Sequence, residues 1–545
     1  MTAIELVLVM LLAVIVSGYL VRALPISLPL PIVQIGLGGI IAGVLHHGVT
    51  LQPAVFFLLF LPPLLFLDGW RIPKDGLLRD KGTILQLALG LVVFTVIGAG
   101  YLIHLLIPVM PLAVAFALAA VISPTDPVAV SSIAARAPVP RRLMHILEGE
   151  SLLNDASGLV CFQFAVAAAL TGSFSLGSAA LTFLWVALAG LASGLAFTAL
   201  VAFVQQWLTR RFGEAGGSPI LVNLLIPFGA YLVAEQLHAS GILAAVAAGI
   251  AMSYVELTGR SMARTRIERT AVWNTVQFTL NGIMFVLLGE QLPDILQGAI
   301  ATVHESGHRS PWWLALYAVA TTAGLALLRF AWVWLSLRLS LLRRRYTGED
   351  AKAPSLRLIL ATSLAGVRGA VTLAGILTLP LLMPDGSPFP VRGLAVFLAA
   401  SVIVLSLLGA SVGLPRLLKG LELPREPARQ REEDHARAAA ASAAIESVRQ
   451  AQQAIQQQTP PAEAEVCADA ARRVIAIYQR RVNEGESGVE ATHLRQSDAM
   501  ERKLRLAGLR GERSEILDLA RSRRISDETA RRLVREIDLL ETIYR

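Results

Sequence analysis

Apolar segments of about 20 residues, the length that crosses a hydrocarbon core of roughly 30 Å, recur along the first three quarters of the chain and restrict it to one class of fold. They fall near 3–21, 27–46, 52–69, 83–108, 111–135, 143–171, 177–207, 218–238, 240–257, 271–291, 312–341, 356–383 and 390–415, about thirteen spans in all. Inside lipid every backbone N–H and C=O needs a partner within the protein, so such a chain reads as an all-α polytopic membrane protein. Composition agrees: 54% of the 545 residues are hydrophobic and only 16% charged, against about 25% charged in soluble proteins. A net charge of +8 would suit nucleic acid, but the basic residues sit in short loops and in the C-terminal segment, which argues against that partner. Cys161 lies in an apolar run and Cys467 in the tail, so no disulfide framework is expected. The start, Met1-Thr-Ala-Ile-Glu, has no basic region and no small-residue cleavage site after it, and reads as a retained first span.

Loop charge tests the count. Loops after odd-numbered spans carry Arg22; Arg71, Lys74, Arg79 and Lys81; Arg136, Arg141 and Arg142; Arg210 and Arg211; Arg260, Arg264, Arg266 and Arg269; and Arg343, Arg344, Arg345 and Lys352. Loops after even-numbered spans offer Arg309 and Arg392. Basic loops stay in the cytoplasm, which places the N-terminus outside, the C-terminus inside, and requires an odd number of spans. On this count spans one to six and eight to thirteen form inverted repeats with the seventh as connector. From residue 416 the chain turns rich in Arg, Glu, Ala and Gln. Helices are expected near 430–458, 463–484, 490–508 and 526–543, with Ser526 as an N-cap and Pro460-Pro461 as a break. The domains are thus a membrane part, 1–415, and a cytoplasmic helical tail, 416–545, either regulatory or a plain solvated appendage.

Two stretches place acid at mid-membrane depth: Ser123-Pro-Thr-Asp-Pro127 in the fifth span and Glu148-Gly-Glu-Ser-Leu-Leu-Asn-Asp155 in the sixth. An ionisable group there costs roughly 2.5–3.5 kcal/mol on insertion scales and reads as functional. Pro124 and Pro127 have no N–H for the carbonyls one turn back, so the helix should open at Thr125-Asp126 and bare its oxygens. Asp155 lies about twelve residues into its span, roughly 18 Å, and meets Asp126 at similar depth. Glu148, Ser151 and Asp155 share one helix face, with Glu150 and Asn154 on its flank. The twelfth span carries Gly366-Val-Arg-Gly369, a second break with Arg368 at its centre; Arg329 is buried in the eleventh, and one of the two should pair with Glu150. Hard oxygen ligands suit a small monovalent cation or a proton, and one carboxylate cannot be neutralised by both at once. A lone intramembrane Asp is often a structural hydrogen-bonding residue; two beside helix breaks and two buried arginines favour an ion site. Glu148 suits an interfacial charge as well as a participant, Glu235 near the outer end of the eighth span suits a structural role as well as a functional one, and His46, His47, His104 and His145 show no metal-ligand spacing.

Pro-Thr-Asp-Pro (124–127), Gly-Glu-Ser-Leu-Leu-Asn-Asp (149–155) and Gly-Val-Arg-Gly (366–369) together resemble the monovalent cation:proton antiporter family, which includes bacterial and eukaryotic sodium/proton exchangers. The resemblance spans roughly residues 1–415. It implies a homodimer in the plasma membrane whose core moves past an interface domain like an elevator, exchanging one Na+ for one H+. It implies that Asp155 binds cation and proton, and that Asp126, Ser151 and the carbonyl of Thr125 help coordinate Na+. Asn154 would support the broken helix and Glu150 would pair with an arginine such as Arg329. In many relatives a glutamate directly follows Leu-Pro-Pro-Leu-Leu-Phe; here Leu67 stands there and Asp68 comes next, a turn of about 100° that leaves open whether Asp68 reaches the ion.

The expected activity is therefore electroneutral Na+/H+ antiport serving intracellular pH and sodium homeostasis, with K+ as an additional or alternative cation, and with neither an enzymatic activity nor a cofactor. An intramembrane aspartyl protease using Asp126 and Asp155 is a remote alternative, and the Gly-x-Gly-Asp signature it would carry is missing. A cation channel is a third reading, distinguished by unitary currents.

Overall fold

The computed structural model describes residues 3–24, 28–45, 53–71, 90–126, 130, 141–172, 176–213, 217–257, 263–305, 310, 312–346, 355–419, 427–458, 460–484 and 489–544. The chain divides into two compact units, Met1–Leu421 and Glu422–Arg545. Among the described residues both are helical, without a strand; one isolated bridge joins Leu382 to Pro388.

The first unit contains α1 (Ala3–Ala23), α2 (Leu30–Leu45), α3 (Pro53–Arg71), α4 (Leu91–Leu106), α5 (Leu112–Ile122), α6 (Arg141–Thr171), α7 (Leu176–Phe212), α8 (Ser218–Gln236), α9 (Gly241–Leu257), α10 (Ala263–Glu305) and α11 (Trp312–Tyr346). The twelfth apolar run is split into α12 (Leu356–Leu364) and α13 (Ala370–Leu377), and α14 (Arg392–Leu418) follows. Several helices overrun their apolar runs: α10 begins at Ala263 and ends at Glu305, where hydrophobicity marks only 271–291. Hydrophobicity reports where a helix meets lipid, and Arg- and Glu-rich ends stay helical beyond it. α14 also carries past residue 415, to Leu418, because Leu414 and Leu418 are buried in the core.

Six described helices are long and apolar enough to cross a membrane. Only 22% of the crossing window of α1 is buried, against 56% for α14, so α1 turns most of its apolar surface outward while α14 runs through the core. Leu184, Trp185 and Leu188 of α7 are exposed likewise. Such surfaces suit lipid rather than water. α2 crosses α10 where Gly38 meets the backbone at Val286 and Glu290 and Gly289 meets Ile35; α3 crosses α9 at Gly69 and Gly249. Small residues let backbones approach in this way when hydrophobic burial does not drive helix association. Two groups of helices result. α4, α5 and α6 pack with α11 to α14 around Leu118, Ile122 and Leu398, and α1 to α3 pack with α9 and α10 around Leu61, Leu65 and Met284.

The second unit contains α15 (Pro427–Gln458), α16 (Pro461–Glu484), α17 (Val489–Arg521) and α18 (Asp527–Tyr544). α15 lies against α16 and α17 against α18, burying Ala441, Ile445, Ala471, Leu509 and Ile537. Ser526 Oγ accepts the Thr529 N–H at 3.2 Å and caps α18. The helix expected to stop near 508 runs on to Arg521: Gly508 and Gly511 each cost about 1 kcal/mol relative to alanine, too little to end a helix whose Leu509 is buried.

Candidate functional site

α5 ends at Ile122, and Ser123 to Asp126 leave the helix. Pro124 supplies no N–H to the Ala120 carbonyl, which is the local reason. Pro127 and the rest of that turn lie outside the described residues. α6 passes close because Gly158 has no side chain to meet Pro124 and the Ala120 carbonyl. In the twelfth run Ala365 to Gly369 stand between two half-helices. The two breaks touch: Asp126 N donates to Val367 O at 2.7 Å.

Arg368 satisfies both. Its Nε donates to Ile122 O at 2.8 Å, an orphan carbonyl at the end of α5, and its Nη1 donates to Gly366 O. A buried guanidinium at the carbonyl end of a helix is favoured by the helix dipole as well as by these bonds. Arg368 is thereby committed to backbone, and Arg329 takes Glu150. Arg329 Nη1 and Nη2 reach Glu150 Oε1 and Oε2 at 2.5 and 3.0 Å, with both side chains at most 2% exposed. A bidentate pair is the geometry that offsets the cost of burying two charges.

The two faces of α6 divide the work. On one, Asn154 Nδ2 donates to Thr125 Oγ1 at 3.0 Å and Glu150 Oε1 lies 3.5 Å from the same hydroxyl, fixing the opened turn. On the other, Ser151 Oγ donates to the Thr125 carbonyl at 2.7 Å, and Asp155 follows one turn later. Asp155 is 4% exposed and makes no hydrogen bond or ion pair among the described residues. The side chain of Glu148 lies outside the described residues.

These groups meet at a cavity of about 30 Å³ whose lining includes Thr125, Asp126, Ser151, Asp155, Gly369 and Thr372. Since one water needs about 10–15 Å³ on this measure, the space suits a small cation with a water or two. α13 starts at the cavity, so the positive end of its dipole faces the carboxylates.

The lining also takes in Leu64 and Asp68 of α3 with Gln277 and Asn281 of α10. The 100° offset does not carry Asp68 away from the cavity. Leu64 and Asp68, four residues apart, form the face toward the cavity, while fully buried Leu67 packs with Ile226, Ala230 and Trp273. The helix is rotated so that the hydrophobe fills the core and the acid faces the cavity. Gln277 and Asn281 escaped sequence reasoning, which weighed ionisable groups; two amides one turn apart inside an apolar run were the signal. Three carboxylates around one small cavity repel each other, and a cation or a proton entering it relieves that repulsion.

A family model described as "Sodium/hydrogen exchanger, transmembrane" matches residues 8–420. An uncharacterised Na+/H+ exchanger of Escherichia coli strain K12, YjcE, is 40% identical over 542 residues, covering 98% of each chain. A sodium, potassium, lithium and rubidium/H+ antiporter of Bacillus pumilus is 36% identical over 540 residues, covering 98% of this chain and 77% of the relative. Among solved structures, the sodium proton antiporter MjNhaP1 of Methanocaldococcus jannaschii superposes with a TM-score of 0.59 at 17% identity, over 77% of this chain and 99% of that one, a likeness of fold.

Proposed function

The chain belongs to the sodium/hydrogen exchanger family, and from that premise we propose that Asp155 is the group at which it exchanges Na+, and K+ as well, for H+. Transport of monovalent cations against protons is the family's activity, which sets the protease and channel readings aside. The observation that carries the residue assignment is a buried carboxylate without a protein cation of its own, beside a broken helix and two further acids. Asp155 is neutralised by cation or by proton, and its wall reorients in either neutral form. The bare charge is costly to move, so an empty crossing is suppressed and the two flows are coupled. Asp126, Ser151 and the Thr125 carbonyl complete the cation's oxygen shell. Asn154, Glu150, Arg329 and Arg368 hold the broken turn and carry no ion. With one carboxylate titrating per cycle, exchange is one for one and electroneutral.

The setting we propose is a plasma membrane with the N-terminus outside and residues 416–545 in the cytoplasm, in a homodimer that contributes to pH and sodium homeostasis. The basic loops after odd-numbered spans support that orientation. The test is dequenching of a pH dye in vesicles carrying the full chain, on addition of Na+ or K+, with Asp155→Asn alongside. Each salt should move protons and the variant should match empty vesicles. Wild-type exchange by Asp155→Asn would remove the assignment.

A further inference from the structure

Gln277 belongs to two settings at once. It lines the ion cavity, and its Oε1 accepts from Arg71 Nη1 at 2.6 Å. Arg71 Nη2 donates in turn to Asn274 Oδ1 at 2.7 Å. Two amides of α10, three residues apart, thus grip the guanidinium at the last residue of α3. Arg71 follows Asp68 by three residues, so the cation and the cavity acid share one side of α3, one turn apart. The guanidinium is permanently charged and carries a long flexible stem. One turn of helix is about 5.4 Å, within that stem's reach. Beyond Gln277 lies a cavity walled by Asp68, Asp126 and Asp155, whose combined charge attracts any cation at its mouth.

We propose that Arg71 is a tethered competitor for the cation site, and that Asn274 and Gln277 form a clamp that holds it outside. Asn274 is then a positioning residue: it lines no part of the cavity and acts through Arg71. Gln277, at the wall itself, gives the clamp its place beside the site. The clamp sets the apparent affinity for the transported cation, because sites occupied by the guanidinium are closed to Na+. This inference rests on the antiport reading and deepens it.

The experiment uses the full chain in vesicles, titrating Na+ with the pH dye for wild type, Asn274→Ala, Arg71→Gln and the double variant. Asn274→Ala should raise the half-saturating Na+ concentration about threefold or more, the rise expected if the released guanidinium closes two thirds of the sites. The maximal rate should stay within about twofold of wild type, since saturating Na+ displaces a competitor. Arg71→Gln should not raise the half-saturating concentration, and the double variant should return to the wild-type value. An unchanged half-saturation in Asn274→Ala overturns the proposal. So does a defect that persists in the double variant, which would mark Asn274 as a packing residue between α3 and α10. Absence of exchange by wild type is seen before any variant is compared, and overturns the antiport reading together with this inference.

Discussion

Gly369→Ala is the smallest change that should separate the two helix breaks. A Cβ added at Gly369 would stand under 3.0 Å from the Cβ, Cγ and Oδ2 of Asp126, closer than real Cβ atoms come. Rotating the Asp126 side chain moves Cγ and Oδ2 but not Cβ, whose place is set by the backbone. Relief therefore requires one break to shift against the other, and the Asp126 N–Val367 O bond at 2.7 Å resists that shift. Carbon atoms settle at about 3.5–4.0 Å, so the displacement needed is on the order of 1 Å. Overpacking of this kind costs about 1–3 kcal/mol, which leaves the protein folded. Misplacing a reacting group by about 1 Å can lower a rate about 100-fold. The expected result is a monodisperse protein in detergent with Na+-driven proton movement reduced at least about tenfold. Gly366→Ala is the informative companion, because its added Cβ meets the Arg329 side chain instead. Wild-type exchange by Gly369→Ala would show that the close approach of Gly369 to Asp126 has no part in transport.

Three further outcomes follow from the geometry. Arg329→Met leaves Glu150 charged and buried, and should lower thermal stability by about 3–5 kcal/mol, most of which Glu150→Met/Arg329→Met recovers; a double variant as unstable as the single one contradicts the pairing account. Asp68→Asn should weaken Na+ affinity several-fold without abolishing exchange, since Asp155 keeps the exchanged charge, and an unaltered Na+ titration would make its place on the cavity wall incidental. Ser526→Ala should remove about 1 kcal/mol from the start of α18, read as faster hydrogen exchange at the first-turn amides such as Thr529, and unchanged exchange there would refute the cap.

The break in the fifth run was legible because proline chemistry is local: Pro124 withholds a donor in any fold. The second break was legible from Gly366 and Gly369 around an arginine inside an apolar run. The sharing of labour between the arginines was not. Arg329 and Arg368 look alike in sequence, each deep in an apolar run, and only the approach of Ile122 O to one and of Glu150 to the other distinguishes them. Asp68 shows the same limit. Its distance along the chain from the family's usual glutamate was plain, but the rotation of α3 is set by where Leu67 finds its core.

Hydrophobicity acts residue by residue on the solvent, so the apolar runs, the all-helical build they call for and the positions of Asp126 and Asp155 within those runs are legible in the chain alone. The chain alone also marks the exchanger motifs. Which oxygens face one cavity depends on helix rotation and crossing, decided by side chains hundreds of residues apart packing against one another. Gln277, Asn281 and the Arg71 clamp belong to that second class: the spacing of the two amides marks them as unusual in an apolar run, but only tertiary structure sets them, with the exposed guanidinium, beside three carboxylates.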